Sequence, residues 1–271
     1  MLETFDRPVI LIGCGNMAGA MLARWLECGL DPARVTVVDP GRKDIAPGVT
    51  LLSALPADLP ADAILLLGVK PQSLPDVAPV LAPLLDDGKT IISMLAGVSI
   101  ETLRAALGEG AELVRIMPNM PVSLGKGVCA LYADPTTTNS ARGAAEQLLA
   151  PLGLVEWIAD EGDFNLVTAV TGCGPAFVFR FIDALAQAAR TLGMEEGQAR
   201  RFAMATVQGA ASLAAQADEP PATLADRVAS KGGMTREGLD VLDADERLVA
   251  LLSETLRAAR NRGVELEKLS S

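Results

Sequence analysis

The chain has 271 residues, enough for two domains or one large one with an ample core. Its 34 acidic against 23 basic side chains leave a net charge of −11, which argues against nucleic acid or an anionic membrane surface as partner. There is no histidine, which excludes Ser-His-Asp and Cys-His nucleophilic catalysis, histidine general acids and histidine-ligated metals; no metal site is expected.

The opening MLETFDRP is acidic and too polar for a signal peptide, and no apolar run reads as approaching membrane-spanning length. Cys14, Cys28, Cys129 and Cys173 show no C-x-x-C pairing, so a reduced, cytoplasmic setting is expected. Val9 to Ile12 reads as a strand buried on both faces, followed by a turn on Gly13 and Gly15 and then helical spacing through Met17, Met21 and Trp25. Strand, glycine turn and helix in succession form the first unit of a dinucleotide-binding sheet. Gly13 permits the tight turn, Gly15 leaves room for a pyrophosphate, and Ala18 stands where helix and strand pack closely. Cys14, Asn16 and Met17 complete the segment, whose helix N-terminus offers N–H groups and a positive dipole end to phosphates.

Arg34 to Val38 reads as the second strand, ending at Asp39. An acid there commonly binds the adenosine ribose, favouring NAD, but it serves equally well as a turn cap; Arg42 and Lys43 could instead hold a 2′-phosphate. Ala63 to Val69 is a third buried strand running into Lys70-Pro71-Gln72, where Lys70 either faces a cofactor or caps a strand end in solvent. Pro75, Pro79 and Pro83 make the next helix irregular or short. Thr90 to Met94 is a fourth strand leading to the small-residue turn Ala96-Gly97-Val98, and Ser99 caps a helix that stops at Gly108. Glu112 to Ile116 is a fifth strand, after which Pro118 and Pro121 flank Asn119 and fix its backbone, for a site or merely for a turn. Gly127 to Ala133, a helix near Asn139 to Ala150, and Val155 to Ile158 complete the sheet.

From about Asp160 alanine-rich helical spacing dominates. Asp163 to Thr191 could run as one helix, bent at Gly172-Cys173-Gly174-Pro175. Phe177, Phe179 and Phe181 leave little of it polar, and Phe202 to Ala217 is also apolar around much of its circumference, so a second subunit is expected to cover both. Within Asp226 to Thr235, a helix end, the loop Ser230-Lys231-Gly232-Gly233-Met234 and a new helix capped by Thr235 would form an anion nest fit for a carboxylate, or else an ordinary capped loop.

Taken together, GCGNMA, GVKPQ, SMLAGVS, RIMPNMP, TGCGPAFVF and VASKGGMTREGL resemble the pyrroline-5-carboxylate reductases over essentially the whole chain, in family order. The resemblance implies an α/β Rossmann-type dinucleotide-binding domain at residues 1–159, then an all-α dimerisation and substrate-binding domain at 160–271. It implies reduction of L-1-pyrroline-5-carboxylate to L-proline, the last step of proline biosynthesis, with NADPH, or NADH in its place. It also implies a homo-oligomer, a dimer that some members assemble further, up to a decamer. Gly13 to Ala18 would hold the pyrophosphate, and Val69, Lys70, Pro71, Ala96, Gly97 and Asn119 would line the cofactor toward the nicotinamide. Ser230, Gly232, Gly233 and Met234 would hold the substrate carboxylate, Thr235 would sit beside the imine nitrogen, and Asp226 matches an acidic position nearby. Lys231, Met234 and Cys173 depart from the usual proline, threonine or alanine, and serine.

Two other readings remain at this stage. A 3-hydroxyacid dehydrogenase of similar architecture would need a lysine that Asp163 to Thr191 lacks, and a nucleotide-binding scaffold without turnover would not need the carboxylate loop.

Overall fold

A computed structural model describes residues 1–86 and 88–270. By packing the chain forms two compact units, residues 1–173 with 259–271, and residues 174–258.

The first unit is built on an eight-stranded sheet in the order β3-β2-β1-β4-β5-β6-β7-β8. Its strands are β1 (Val9–Ile12), β2 (Val35–Val38), β3 (Thr50–Leu52), β4 (Ile64–Leu67), β5 (Thr90–Ser93), β6 (Glu112–Pro118), β7 (Gly127–Tyr132) and β8 (Gly153–Trp157). All neighbours run parallel except β6 and β7. Helices α1 (Asn16–Glu27), α2 (Leu74–Leu81), α3 (Ile100–Leu107), α4 (Asn139–Leu149) and α5 (Phe164–Thr171) belong to the same unit.

Alternation along the strands sorts the core into two layers. Val9 and Leu11 of β1, with Ile64 and Leu66 of β4, share one cluster with Met21 and Trp25 of α1 and Leu148 of α4. Ile10, Ile12, Leu65 and Leu67 point the other way, into a cluster with Leu81 of α2 and Leu103 of α3. Burial on both faces is why these strands read as unbroken apolar runs. Buried in the same sheet, the Cys129 thiol is pushed up to about 12 by desolvation and stays neutral.

The second unit holds α6 (Gly174–Thr191), α7 (Glu196–Ala214), α8 (Pro221–Arg227), α9 (Met234–Asp243) and the start of α10 (Arg247–Ser270), which ends in the first unit. Its buried hydrophobic cluster is only Ala186, Ala199 and Ala203, with Ile182, Ala189 and Met194 packed against it. Phe179 and Phe181, on opposite sides of α6, are 65% and 52% exposed, and Phe202 of α7 is 53% exposed. The expected apolar helices are therefore present, and this unit leaves them uncovered.

Several expectations are corrected. The short, half-exposed β3 was missed. Asp163 to Thr191 is two helices, α5 and α6, broken at Gly172 and Cys173, rather than one bent helix. The segment Glu161–Thr191 is, by length and composition, apolar enough to cross a membrane, contrary to the reading that no run approaches that length. The break, with Arg180 and Asp183 within α6, explains why an unbroken apolar run was not visible. Packing divides the chain after Cys173, while the change in sequence texture falls near Asp160. α5 is tied to the sheet, since Asn119 Nδ2 donates to the Thr171 carbonyl at 2.9 Å and the Arg115 guanidinium stacks 4.1 Å from the Phe164 ring centroid.

Candidate functional site

The order of the sheet reverses between β1 and β4, and the carboxyl ends of these two strands open a cleft of about 540 Å³. Gly13, Gly15, Asp39, Val69 and Lys70 lie on its walls. Ligands of open α/β sheets bind at such a switch point.

Gly13 has φ +84°, and a Cβ there would lie 2.9 Å from the Gly68 carbonyl carbon and from Val69. Gly15 faces open space, with no atom within 4 Å of a hypothetical Cβ. The fully buried Ala18 packs against Gly68, where a Cβ would lie 3.2 Å from that of Ala18. The three small residues thus supply a turn at positive φ, an open approach and a close helix–strand contact. Gly15 is the N-cap of α1, no side chain caps the helix, and its first turn carries no acid. The N–H groups of Asn16, Met17 and Ala18 lack intrahelical acceptors, as in any helix start.

Asp39 is held by the glycine loop itself. Its Oδ2 accepts from the Cys14 N–H and its Oδ1 from the Gly41 N–H, both at 2.9 Å. The Arg42 guanidinium donates to the Cys14 carbonyl at 2.6 Å and lies 3.1 Å from Cys14 Sγ. Burial pushes the Cys14 thiol up, with the Arg42 charge opposing. Lys43 is exposed, as is Lys70, which precedes the short 3-10 turn starting at Pro71. Ala96 is exposed at the turn after β5, and Gly97 in that turn has φ +74°. Asn119 is buried; besides its bond to Thr171, its Oδ1 accepts from the Val128 N–H at 2.8 Å, so most of its side chain serves the fold.

In the second unit the loop after α8 turns on Gly232, at φ +70°. The Gly233 N–H donates to the Ser230 carbonyl at 2.9 Å, and a Cβ on Gly233 would lie 2.5 Å from Ser230 Oγ. The N-cap of α9 is Gly233, with no side-chain cap. This corrects two expectations: Thr235 is the second helical residue, not the cap, and Gly233 is not a free donor. Chain geometry explains the shift, because the Gly232 turn brings Gly233 into extended φ/ψ two residues before the Thr235 hydroxyl. The donors at this helix end are therefore Met234, Thr235 and Arg236. Asp226, placed beside the ligand by the resemblance, faces Arg236 at 3.4 Å; Arg236 also meets Asp240 at 2.8 Å and Asp243 at 3.2 Å. These carboxylates hold the Arg236 guanidinium above its ordinary value, the Asp240 hydrogen bond foremost. Met234 is almost fully exposed.

Residues 161–266 match the family model described as pyrroline-5-carboxylate reductase dimerisation, and residues 8–97 match that of NADP oxidoreductases, coenzyme F420-dependent. The pyrroline-5-carboxylate reductase of Pseudomonas aeruginosa is 35% identical over 95% of this chain and 96% of its own. The chain belongs to the pyrroline-5-carboxylate reductase family.

The solved structure of a family reductase from Coxiella burnetii, at 31% identity, superposes with TM-score 0.88 over 96% of this chain and 98% of its own. The Plasmodium falciparum pyrroline carboxylate reductase, solved with NADP bound, shares the fold at TM-score 0.78 and 22% identity over 97% of this chain and 98% of its own. An N-terminal Rossmann-type sheet followed by an all-helical dimerisation region is the architecture of this family member as well.

The cleft gathers Gly13, Cys14, Gly15, Asp39, Val69 and Lys70. Reading the sequence missed Arg236, whose partners at i+4 and i+7 were a legible signal, and the cluster around Arg115. Arg115 is 2% exposed on β6, pairs with Glu161 at 2.8 Å and Glu267 at 3.3 Å, and was marked only by being a charge inside the apolar run from Leu113 to Met117.

Proposed function

We propose that this chain reduces L-1-pyrroline-5-carboxylate to L-proline, with NADPH or NADH as reductant, as the last step of proline biosynthesis. The observation that carries it is that α1 and α9 each begin on a glycine with no side chain over the first N–H groups. By contrast, α3, α4 and α7 are capped by Ser99, Thr138 and Glu195, and the other uncapped starts, α2, α5 and α8, are N-capped by Ser73, Asp163 and Pro220 rather than by glycine. Two anion-ready helix ends suit a dinucleotide pyrophosphate and a substrate carboxylate.

The residues of the cleft fit the cofactor, since Gly13 closes the turn, Gly15 leaves open space and Ala18 seats the helix. When bound there, the reduced nicotinamide supplies the hydride for the imine carbon. In this reading the N–H groups of Asn16, Met17 and Ala18 hold the pyrophosphate, Asp39 faces the adenosine ribose, and Val69, Lys70, Pro71, Ala96, Gly97 and Asn119 lie toward the nicotinamide. The loop from Ser230 to Met234, with Asp226 and Arg236 bracing it, holds the carboxylate. Thr235 orients the ring nitrogen; its hydroxyl is too weak an acid to be the bulk proton source, and a basic cyclic imine draws its proton from solvent or through a hydroxyl relay. Without a histidine, catalysis rests on alignment.

We assign dinucleotide binding to residues 1–159 and substrate binding and dimerisation to 160–271. The exposed phenylalanines of α6 and α7 support a homo-oligomer, a dimer or a decamer built from it. The net charge of −11 supports a partner set without nucleic acid or anionic membrane, and four free cysteines support a reducing, cytoplasmic setting.

The direct test is steady-state reduction of the imine by purified protein with NADPH and with NADH; no turnover with either would overturn the reading. Because Thr235 is not the N-cap, Thr235→Ala is expected to change stability by no more than about 0.5 kcal/mol. Its kcat should fall by about 100-fold, with NADPH affinity unchanged. Full turnover in that variant would remove the hydroxyl from the mechanism. Cofactor choice divides between two cations. Lys43→Ala is expected to raise KM for NADPH alone, about three- to tenfold for one exposed phosphate contact. Arg42→Ala should raise both constants, NADPH the more, since Arg42 also clasps the glycine loop through the Cys14 carbonyl. Equal shifts for the two cofactors in both variants would show that neither residue reads the 2′-phosphate.

A further inference from the structure

The turn from Leu95 to Val98 follows β5, next to β4 in the sheet, and the hydrogen bonds that close it are long. Val98 N–H reaches the Leu95 carbonyl at 3.4 Å and Leu95 N–H reaches Ser93 Oγ at 3.4 Å. Two stronger features hold it from outside. Glu161 Oε1 accepts from the Ile100 N–H at 2.9 Å, gripping the exit of the turn. On the other side the last turns of α10 lie directly on Gly97, where a Cβ would stand 3.4 Å from the Glu267 nitrogen and 3.5 Å from its Cα.

A single guanidinium joins both grips. Arg115 donates to Glu161 Oε1 at 2.8 Å and to Glu267 Oε1 at 3.3 Å, while Asn165 Nδ2 donates to Glu267 Oε2 at 2.8 Å. Arg115 is 2% exposed, lies over the Phe164 ring, and its Nε is buried without a partner. A charge so placed has no water to fall back on, so its geometry is dictated by the two carboxylates. The whole cluster lies within the first unit.

We propose that Arg115, Glu161 and Glu267 hold the Ala96–Gly97 turn in shape against the nicotinamide half of the cofactor, with Glu267 a positioning residue that acts through the backbone of α10. This rests on the reading that the turn lines the nicotinamide. The adenosine half, at the glycine loop and Asp39, lies outside the reach of these contacts. Loosening Glu267 therefore separates the two halves of the dinucleotide.

The test uses the full-length protein carrying Glu267→Gln, which keeps length but removes the charge facing Arg115 and turns one of the two accepting oxygens into a donor. Affinity for NADPH is followed by nicotinamide fluorescence, and affinity for the nicotinamide-free fragments ADP-ribose and its 2′-phosphate by calorimetry. NADPH binding should weaken about tenfold, the effect of losing one or two polar contacts to the nicotinamide, with loss of the bound-nicotinamide fluorescence enhancement. Fragment affinity should be unchanged, and Lys268→Ala, which alters a neighbouring exposed charge, should leave all ligands unaffected. Loss of NADPH and fragment binding together, or of neither, overturns the proposal. Should Glu267→Gln fail to fold, Gly97→Ala, which drives a methyl group toward the Glu267 backbone at φ +74°, must give the same split or the proposal fails. Wild-type protein that binds neither NADPH nor NADH overturns the cofactor reading and this proposal with it. Wild-type binding with an unchanged variant overturns this proposal alone.

Discussion

Gly13→Ala is expected to weaken dinucleotide binding about 100-fold, equivalent to about 2.8 kcal/mol at 1.4 kcal/mol per tenfold. Two independent penalties meet at this residue. The backbone sits at φ +84°, where a Cβ costs about 1–2 kcal/mol, and the new methyl would lie 2.9 Å from the Gly68 carbonyl carbon, the Val69 nitrogen and Val69 Cγ1. The Val69 side chain can turn aside, but the Gly68 and Val69 backbone can yield only by parting β4 from β1, whose Ile12 carbonyl accepts from the Gly68 N–H at 2.8 Å. Relief therefore moves the glycine loop, and with it the start of α1 and the clasp that Asp39 and Arg42 make on Cys14. Gly15→Ala provides the contrast, since nothing lies within 4 Å of its Cβ: the fold should be untouched while the methyl group occupies space that a pyrophosphate needs. Calorimetric titration with NADPH and a thermal melt of each variant check this pair. The expected pattern is loss of both stability and affinity for Gly13→Ala, but of affinity alone for Gly15→Ala. If Gly13→Ala binds NADPH as wild type does, the turn is not the pyrophosphate site.

The second large effect is expected at the uncovered helices. Phe179 and Phe181 stand on opposite sides of α6 at 65% and 52% exposure, in a unit whose buried hydrophobic cluster is three alanines. Such a unit cannot offset its own ordering entropy, so a second copy must supply the missing apolar contact. Burying one phenylalanine contributes about 2 kcal/mol, and a two-fold interface counts every substitution twice. Phe179→Asp should accordingly raise the dissociation constant about a thousandfold or more, since about 4 kcal/mol is lost and a buried carboxylate adds to it. Sedimentation at micromolar concentration should show wild type as an oligomer and the variant as a monomer with reduced helicity in α6 and α7. Gln187→Asp, a polar change on the same helix, should leave assembly intact. A wild-type chain that is monomeric, folded and active would overturn the argument.

How much of this was legible in the sequence depended on how local the cause was. Val9 to Ile12, Ile64 to Leu67 and Thr90 to Ser93 declared themselves because strands buried on both faces need continuous apolar runs. Gly13, Gly15 and Ala18 were legible because turn, approach and close packing each exclude larger side chains within six residues of chain. The apolar faces of α6 and α7 were visible as composition, since no burial pattern within one chain could account for them. β3 was not visible, because three half-exposed residues at a sheet edge carry no periodic signal.

The sequence by itself therefore determined seven of the eight strands, the glycine turn and the apolar helix faces that call for a partner, each legible from residues a few positions apart. Tertiary structure alone decided that Gly233 rather than Thr235 caps α9, because the Gly232 turn sets where helical dihedrals begin. It likewise decided that Asp39 and Arg42 spend themselves on Cys14, 25 and 28 residues away. The Arg115 cluster is the extreme case: its partners lie 46 and 152 residues along the chain, and a buried charge acquires them only once β6, the turn before α5 and the end of α10 have been brought together. Pairing over such separations leaves no mark in local spacing, since it is enforced by desolvation of the guanidinium in the folded chain rather than by the geometry of any one element.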